Sequence, residues 1–265
     1  MPRRSVSVAF PPEPSPRRLT ASGGTEAPPL LLLPGTLCDA RLFAPVLQRL
    51  RRSATIGAMT GANSAFDLAG QILSAAPPRF ALAGFSLGGI VALEIAARAP
   101  GRVAGLALLD TTARPDPVDN AARRRATLAR AREVGIDTVV LDAWPRLVAP
   151  ANHRQSALRE TLLAMARDGG VDTLASQTDV AIGRADGRPR LGAIEVPTLV
   201  LAGEHEAVCP LDAHREMADA IAGARLRLVP DAGHFALLEN PGAVADALAD
   251  WLAVVDASQA RKVAS

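Results

Sequence analysis

The chain has 265 residues, of which 49% are hydrophobic and 21% are charged, and its formal net charge is +2. This length suits one large α/β domain with an insertion, and the absence of a basic stripe interleaved with aromatic residues argues against a nucleic-acid partner. Cys38 and Cys209 lack C-x-x-C spacing and are expected to be free thiols in a reducing compartment. The four histidines do not have the H-E-x-x-H spacing of a metal site, so we predict that the protein has none.

Residues 1–27 form a proline-rich segment with a twin arginine at its start and no apolar stretch behind it. A secretory signal needs that apolar stretch, so we expect a disordered or loosely packed arm. No run of about 18 apolar residues, the length that crosses a bilayer, occurs anywhere in the sequence. These features predict a cytoplasmic protein with no membrane partner, and they leave open whether it is a monomer or a homodimer.

Strand and helix patterns alternate from residue 28 to residue 112. Short apolar runs such as "LLLL", stopped by Pro34-Gly35, are typical of strands buried on both faces. In chain order, strands are predicted in "PLLLLPGT", "ATIGAM", "RFALAGF" and "VAGLALLDTT", and helices in "DARLFAPVLQRLRR", "SAFDLAGQILSAAPP" and "LGGIVALEIAARAP". This alternation predicts an α/β fold with a mostly parallel central sheet flanked by helices.

The alternation stops over residues 113–190, which contain only helical patterns: "DNAARRRATLARAREVG", "IDTVVLDAWPRLV", "HRQSALRETLLAMARDGG" and "VDTLASQTDVAIGRA". It resumes over 191–257, with strands in "VPTLVLAGE" and "ARLRLVPDAG" and helices in "PLDAHREMADAIAG" and "NPGAVADALADWLAVV". We therefore predict a core formed by 28–112 and 191–257. Residues 113–190 would form an inserted helical cap across the carboxyl ends of the strands.

The segment "GFSLGG" places Ser86 between Gly84 and Gly88, where a buried strand passes directly into a helix. A nucleophilic serine projects its hydroxyl from a sharp, strained turn, and small residues on both sides let the strand and the helix approach each other. A tight turn without a catalytic role would use the same glycines. The strand before and the helix after favour Ser86 as a nucleophile.

The candidate base is His234, in "DAGHFALLENP", which follows the last predicted strand. A histidine at the carboxyl edge of a parallel sheet can reach a serine at the same edge. The other three histidines fit less well, because they fall in the predicted cap, in the acid loop and inside a predicted helix: His153, His205 and His214.

A histidine base needs an acid to orient it, and Glu206 in "LVLAGEHEAVCP" is the candidate. Asp110 is the main alternative, since it ends the strand that follows the serine helix. Either residue meets the chain order serine, acid, histidine. Glu204 and Asp212 are two further acids on candidate strand–helix loops.

Acyl-transfer chemistry also needs two N–H donors for the oxyanion. The backbone N–H of Leu87 lies at the start of the helix, where the helix dipole favours negative charge. The second donor is expected from "LPGTLCD", with the N–H of Thr36 as first choice and that of Leu37 as second. By itself, Pro34-Gly35 would indicate only the end of a strand. It is interpreted as part of an oxyanion loop because Ser86 is a candidate nucleophile.

The segments "LLLLPGT", "GFSLGG", "VPTLVLAGEHEAVCP" and "DAGHFALLENP", in this order and spacing, resemble the α/β-hydrolase superfamily over about residues 28–255. The chain looks most like the small bacterial branch that includes esterases, thioesterases, cofactor-free haloperoxidase-like enzymes and the menaquinone-pathway synthase. The resemblance implies that Ser86 is the nucleophile, His234 the base and Glu206 the acid, with no cofactor.

The chain departs from that branch at three places. The branch commonly has His-Gly where this chain has Pro34-Gly35, Asp where it has Glu206, and two further strands upstream of residue 28. A longer glutamate requires the backbone to retreat. Branches with an aspartate nucleophile are excluded by Ser86, and those that need a lid or oxyanion-hole tyrosine are excluded because the chain has no tyrosine.

We therefore expect a serine hydrolase that cleaves a small carboxylic ester or thioester through an acyl-enzyme on Ser86. Two alternatives stay open: a lyase or synthase that uses the same triad as a base, and a slow-turnover ligand receptor. Leu37, Trp144 and Met165 are the expected pocket residues, although packing within the fold would explain each of them as well. Arginines within 123–132 could attract a carboxylate or a coenzyme A phosphate, or form a solvated helix face.

Overall fold

The computed structural model describes residues 27–264, with side chains up to residue 261. Except for residue 27, the predicted N-terminal arm lies outside the described residues, and so does the region in which two further strands would precede residue 28. The strands are β1 (Leu30–Leu33), β2 (Ala54–Ile56), β3 (Phe80–Phe85), β4 (Val103–Leu109), β5 (Thr198–Gly203) and β6 (Arg225–Val229).

These six strands form one sheet in the order β2-β1-β3-β4-β5-β6, and every neighbouring pair is parallel. The predicted α/β fold with a mostly parallel sheet is confirmed. The four central strands are buried along their whole length, as continuous apolar runs predict. At the edge, β6 exposes Arg225 and has Arg227 beside the exposed Leu228, and charges on an edge strand hinder pairing with another chain.

The helices are α1 (Ala44–Leu50), α2 (Ala65–Ala75), α3 (Leu87–Arg98), α4 (Asn120–Val134), α5 (Asp137–Leu147), α6 (Ser156–Ile182), α7 (Leu211–Ala220), α8 (Ala236–Glu239) and α9 (Pro241–Ala264). The last helix continues beyond residue 257, where the sequence pattern predicted the end of the core. The short α8 was not predicted. No helix within residues 27–264 combines the length and the apolar character needed to cross a bilayer.

Two apolar cores cover the two faces of the sheet. One core contains Val46 of α1 with Leu248 and Trp251 of α9. The other contains Leu68 of α2 and Val91 of α3, together with residues of α7. The sheet is therefore the middle of three layers, and its strand ends are the edges at which side chains can reach solvent or a ligand.

Helices α4, α5 and α6 lie between β4 and β5 in the chain. Helix α6 is interrupted at Gly170, whose φ of 72° is non-helical, so the two helices predicted there are the two halves of one run. Leu162 and Leu174, one from each half, are buried in the same core as Phe85 of β3. The segment that carries α4, α5 and α6, called the helical insertion below, therefore packs against the sheet at the carboxyl ends of its strands.

Candidate active site

Ser86 stands at the corner between β3 and α3 with φ 51° and ψ −115°, a combination that a non-glycine residue rarely adopts. The surrounding glycines make the corner possible. A Cβ on Gly84 would lie 2.4 Å from the carbonyl oxygen of Gly88, and a Cβ on Gly88 would lie 2.2 Å from that of Leu33. Strand and helix therefore approach within backbone contact, and the serine side chain is left as the group that projects from the turn.

The structure brings Ser86, His234 and Glu206 together in one hydrogen-bonded chain. His234 Nε2 lies 3.0 Å from Ser86 Oγ, and His234 Nδ1 lies 2.6 Å from Glu206 Oε2. His234 is only 4% exposed, and its ring lies 5.1 Å from that of Phe85, centroid to centroid. The three residues come from the loops after β5 and β6 and from the corner after β3, which meet at the carboxyl edge of the sheet.

Glu206 is placed to carry a negative charge although its side chain is buried. Burial alone would raise the pKa of Glu206, but the charge of His234, its hydrogen bond and two backbone N–H groups outweigh burial, and the net pKa is lowered. Those N–H groups belong to Val208 and Cys209, and both donate to Oε1. The loop 204–210 thus turns around the glutamate, which is how the backbone accommodates a side chain longer than aspartate.

Asp110, the alternative acid, has no hydrogen bond to His234 within the described residues. Its Oδ1 accepts from the N–H of Gly203 at 2.8 Å, and its Oδ2 is buried without a hydrogen-bond partner among the described residues. Burial, the charges of Glu206 and Glu239, and a contact with the Glu206 carboxyl group raise the pKa of Asp110 well above its usual value. The structure therefore places Glu206, rather than Asp110, against the histidine.

The two remaining acid candidates lie away from His234. Glu204 is exposed, and its backbone N–H pairs with Val229. The Asp212 carboxylate accepts a hydrogen bond from Arg114 instead. Neither side chain bonds to the histidine in the described part of the chain.

The two backbone N–H groups predicted to bind an oxyanion belong to Leu87 and Thr36. That of Leu87 opens α3 and that of Thr36 follows Gly35; neither has an acceptor within residues 27–264. Both residues line the cavity described below. Leu37, the second choice for this role, is different, because its N–H donates to Gln177 Oε1 at 2.8 Å and is already satisfied.

Gln177 was not predicted as a site residue, yet it fixes the loop after β1. It is buried on α6, and its Nε2 donates to the carbonyl oxygen of Met59 at 3.0 Å while its Oε1 holds Leu37. Leu37 has a φ of 54°, so this clamp stabilises a strained backbone next to Thr36. A single glutamine in a helical pattern gives no local signal of such a contact.

Two other unpredicted residues support the serine corner. Thr111 Oγ1 donates to the carbonyl oxygen of Ser86 at 2.7 Å, and the Thr111 N–H donates to His214 Nε2 at 3.1 Å. Burial lowers the pKa of His214, which therefore stays neutral, and its Nδ1 donates to the carbonyl oxygen of Pro210. His214 lies inside α7, as predicted, and acts as an interior hydrogen-bonding group.

Glu239 joins the histidine loop to the insertion. Its Oε1 accepts from the N–H of Gly233, and its Oε2 accepts from the Ala149 N–H and from Asn152 Nδ2, all within 2.8 Å. The residue before His234 is thus held to residues 149–152 of the helical insertion. This contact spans distant parts of the chain and was not predicted.

A cavity of about 1040 Å³ opens at Ser86 between the sheet edge and the insertion. Leu37 and Met165 line it, and their role in binding a substrate stays a prediction. Trp144 does not: its side chain is buried in the core, and its Nε1 donates to the carbonyl oxygen of His153. The pocket prediction for Trp144 is therefore corrected: of the apolar residues of α5, Val140, Ala143 and Leu147 line the cavity, while the Trp144 ring packs in the core.

Seven arginines line the same cavity: Arg114, Arg123, Arg124, Arg130, Arg146, Arg184 and Arg188. Several are paired with acids of the chain. Arg124 and Arg184 share Asp116, and Arg130 pairs with Asp142. Arg123 and Arg146 instead donate to the Asn120 side chain and to a backbone carbonyl oxygen. Two arginines of the predicted group, Arg125 and Arg132, are exposed and do not line the cavity.

Both cysteines are free thiols. Burial, followed by the charge of Asp39, raises the pKa of Cys38 to about 12, and burial likewise raises that of Cys209. Neither thiol therefore ionises near neutral pH, and neither is a candidate nucleophile. In the part of the chain that the structure describes, no three His, Cys, Asp or Glu side chains cluster in a way that could hold a metal ion.

The sequence is similar to those of known hydrolases. A family model described as alpha/beta hydrolase fold matches residues 75–241. The chain is 32% identical over 192 residues to a putative carbamate hydrolase, RutD, of Variovorax paradoxus, covering 71% of each chain. It is 27% identical over 249 residues to the pimeloyl-[acyl-carrier protein] methyl ester esterase of Chromobacterium violaceum, covering 86% of this chain and 95% of that protein.

Solved structures agree with these sequence relatives. A thermophilic esterase from Thermogutta terrifontis superposes with a TM-score of 0.77 at 27% identity, covering 86% of this chain and 90% of that one. The enol-lactonase of Burkholderia xenovorans superposes with a TM-score of 0.74 at 26% identity, covering 86% and 91%. The named activities of these relatives are all hydrolytic.

Proposed function

The chain belongs to the α/β-hydrolase family and is an enzyme of hydrolytic function, and on that premise we propose that it is a serine hydrolase of small carboxylic esters or thioesters. The observation that carries the proposal is the hydrogen-bonded chain from Ser86 through His234 to Glu206. A serine on a strained corner, within 3.0 Å of a histidine that a buried carboxylate orients, has the arrangement that activates a hydroxyl for attack on a carbonyl.

Each residue of the chain has a distinct role in the proposed reaction. His234 Nε2 accepts the proton of Ser86 Oγ as that oxygen attacks the carbonyl carbon, and Glu206 stabilises the imidazolium that forms. The N–H groups of Thr36 and Leu87 bind the oxyanion. His234 then protonates the leaving alcohol or thiol. Afterwards it takes a proton from the water that attacks the acyl-serine and returns that proton to Ser86 Oγ as the acid departs.

The substrate class follows from the cavity and from the relatives. Esters, lactones and carbamates, the substrates that the relatives' names state or imply, all present an electrophilic carbonyl to a nucleophile. The volume of about 1040 Å³ is at the upper end of the roughly 300–1,000 Å³ of ligand pockets, which is room for an acyl chain. We propose that residues 113–190 act as a cap whose inner face, with Leu37 and Met165, receives the acyl group.

The test compares the wild-type enzyme with Ser86→Ala on a series of p-nitrophenyl esters of increasing acyl length. We expect kcat/KM to fall by about four to six orders of magnitude, since the nucleophile is lost. A fluorophosphonate probe should label wild-type Ser86 and leave Ser86→Ala unlabelled. Unchanged hydrolysis by Ser86→Ala would overturn the proposal, and labelling of Ser86 without turnover of any ester would indicate a ligand receptor.

A trapped acyl-serine distinguishes hydrolysis from elimination. Mass spectrometry of the wild-type enzyme, quenched during turnover, should show the acyl mass on the peptide that contains Ser86. A lyase or synthase that used the same residues only as a base would form no such adduct.

A further inference from the structure

The carboxyl group of Asp110 is an unexplained feature of the site. Asp110 directly follows β4, is completely buried and has a φ of 45°, a strained value for aspartate. Its backbone N–H donates to the carbonyl oxygen of Leu201, and its Oδ1 accepts from the N–H of Gly203, each at 2.8 Å. Residue 110 is thus fixed against β5 on both its main chain and its side chain, beside the loop that carries Glu206.

The second oxygen of this carboxyl group has no donor. Asp110 Oδ2 is buried and without a hydrogen-bond partner among residues 27–264. The other oxygen is bound by the N–H of Gly203, the last residue of β5, which opens into the loop that carries Glu206, and the negative charge of Glu206 is one cause of the raised pKa of Asp110. An ionised oxygen in that position would be desolvated and would face a second carboxylate. A protonated oxygen there would carry no charge and would be a hydrogen-bond donor.

The surrounding charges decide which of the two carboxyl groups holds a proton. Glu206 has three stabilising partners, His234 and the N–H groups of Val208 and Cys209, whereas Asp110 has one N–H and faces the negative charges of Glu206 and Glu239. Neither of two further titratable groups supplies a positive charge there: the thiol of Cys209, whose pKa the charge of Asp110 helps to raise, and His214, which binds the N–H of the next residue, Thr111, and is neutral. Two neighbouring carboxyl groups in a buried site share one proton, and here the balance places it on Asp110.

We propose that Asp110 is a neutral carboxylic acid whose Oδ2 hydroxyl donates a hydrogen bond to the Glu206 carboxylate, and that it is a positioning residue for the acid of the active site. The proposal rests on the proposed function. A glutamate has one more rotatable bond than an aspartate, so it needs a further contact to hold one orientation against the histidine. The neutral acid supplies that contact without adding a second negative charge beside the imidazolium.

Three variants test the proposal through their contrast. In Asp110→Asn the amide can accept from Gly203 N–H and donate to Glu206 as the acid does, and asparagine tolerates positive φ better than most residues. We expect Asp110→Asn to keep kcat within about threefold of wild type, while Asp110→Ala loses about 10–100-fold, the range of supporting-shell losses. Glu206→Gln should lose about 10³–10⁴-fold, because it removes the charge that stabilises the imidazolium.

The outcomes separate this proposal from the proposed function. If Asp110→Asn lowered kcat as much as Glu206→Gln does, Asp110 would have to act as a carboxylate, and the proposal would be wrong. Full activity in Asp110→Ala would also contradict it. Failure of the serine-hydrolase proposal shows elsewhere, as unchanged turnover in Ser86→Ala.

A spectroscopic measurement does not depend on how the alanine variant folds. The infrared difference spectrum between wild type and Asp110→Asn at pH 7 should contain the C=O stretching band of a protonated carboxylic acid, and that band should shift on transfer to D₂O. A difference spectrum that contains only carboxylate bands would overturn the proposal. If Asp110 were an ionised carboxylate that only supports the fold, the protein would fold in the same way but the spectrum would lack this band.

Discussion

The sheet edge and the helical insertion contribute different parts of the candidate site. The loops of the sheet carry Ser86, Glu206 and His234, which side-chain hydrogen bonds join to one another. Close backbone contacts at the carboxyl edge fix these loops in place. The insertion supplies Met165 to the cavity and Gln177 to the loop after β1, through apolar packing and single side-chain hydrogen bonds. Changes at the sheet edge should therefore impair the chemistry, and changes in the insertion should mainly alter the choice of substrate.

Gly88→Ala tests the sheet side most severely. The added Cβ would lie 2.2 Å from the carbonyl oxygen of Leu33, so β1 and α3 have to separate. We expect a loss of stability greater than about 3 kcal/mol, beyond the usual cost of overpacking because backbone is in the way. Chemical denaturation followed by circular dichroism measures it. Gly101→Ala is the matched control, since nothing lies within 4 Å of its Cβ position; equal stabilities would contradict the argument.

Glu206→Asp sharpens the comparison at the level of catalysis. The loop 204–210 is built around a glutamate, so the shorter side chain leaves a gap to His234 Nδ1. The backbone does not close this gap, because the N–H groups of residues 205 and 206 are bonded to the carbonyl oxygens of residues 232 and 203. We expect kcat to fall about 10²-fold, the cost of a misplacement of about 1 Å in an active site. Exposed Glu204→Asp is the control and should match wild type in ester turnover. An active Glu206→Asp would show that the loop adapts to aspartate.

The same division explains which features could be predicted from the sequence. Ser86 has a local signal, because the glycines that its strained turn requires lie within two residues of it. The buried runs of β1, β3, β4 and β5 are local in the same way. Gln177 forms its hydrogen bond with Leu37 across 140 positions of the chain, and Glu239 forms its bond with Ala149 across 90. The sequence next to either residue therefore gives no signal of the contact. Trp144 shows the limit of hydrophobic periodicity. The pattern predicts that the side chain is buried, but it does not distinguish a side chain that lines a cavity from one that packs in a core.

Gln177→Ala tests the insertion where it touches the chemistry. Without Gln177 Oε1, the Leu37 N–H loses its partner, and the loop that carries Thr36 is less well fixed. We expect kcat to fall about tenfold with little change in KM, less than the roughly 10²–10³-fold of losing an oxyanion donor outright. Asp172→Ala, an exposed change on the same helix half, should leave kinetics unchanged. A Gln177 effect confined to KM would mean that the loop does not depend on this clamp.

Met165→Ala tests the insertion as a source of specificity. Met165 lines the cavity, whereas Leu163, two residues earlier on α6, is equally buried but does not. Both alanine variants should lose about 2–5 kcal/mol of stability. Only Met165→Ala should change the ratio of kcat/KM between long and short p-nitrophenyl esters, by about fivefold to tenfold in favour of the longer chain. Parallel changes in both variants would place the specificity elsewhere.

The smallest expected effect concerns Cys38, which lies in the cavity beside the proposed oxyanion loop. With a pKa raised to about 12, its thiol is un-ionised at neutral pH, and only the thiolate is nucleophilic. Iodoacetamide at pH 7.5 should therefore leave esterase activity unchanged, while the same reagent labels both cysteines in the unfolded chain. Because burial is the main cause of the raised pKa, reaction at Cys38 in the folded enzyme would show that the cavity opens further than the packing of α6 against the sheet implies.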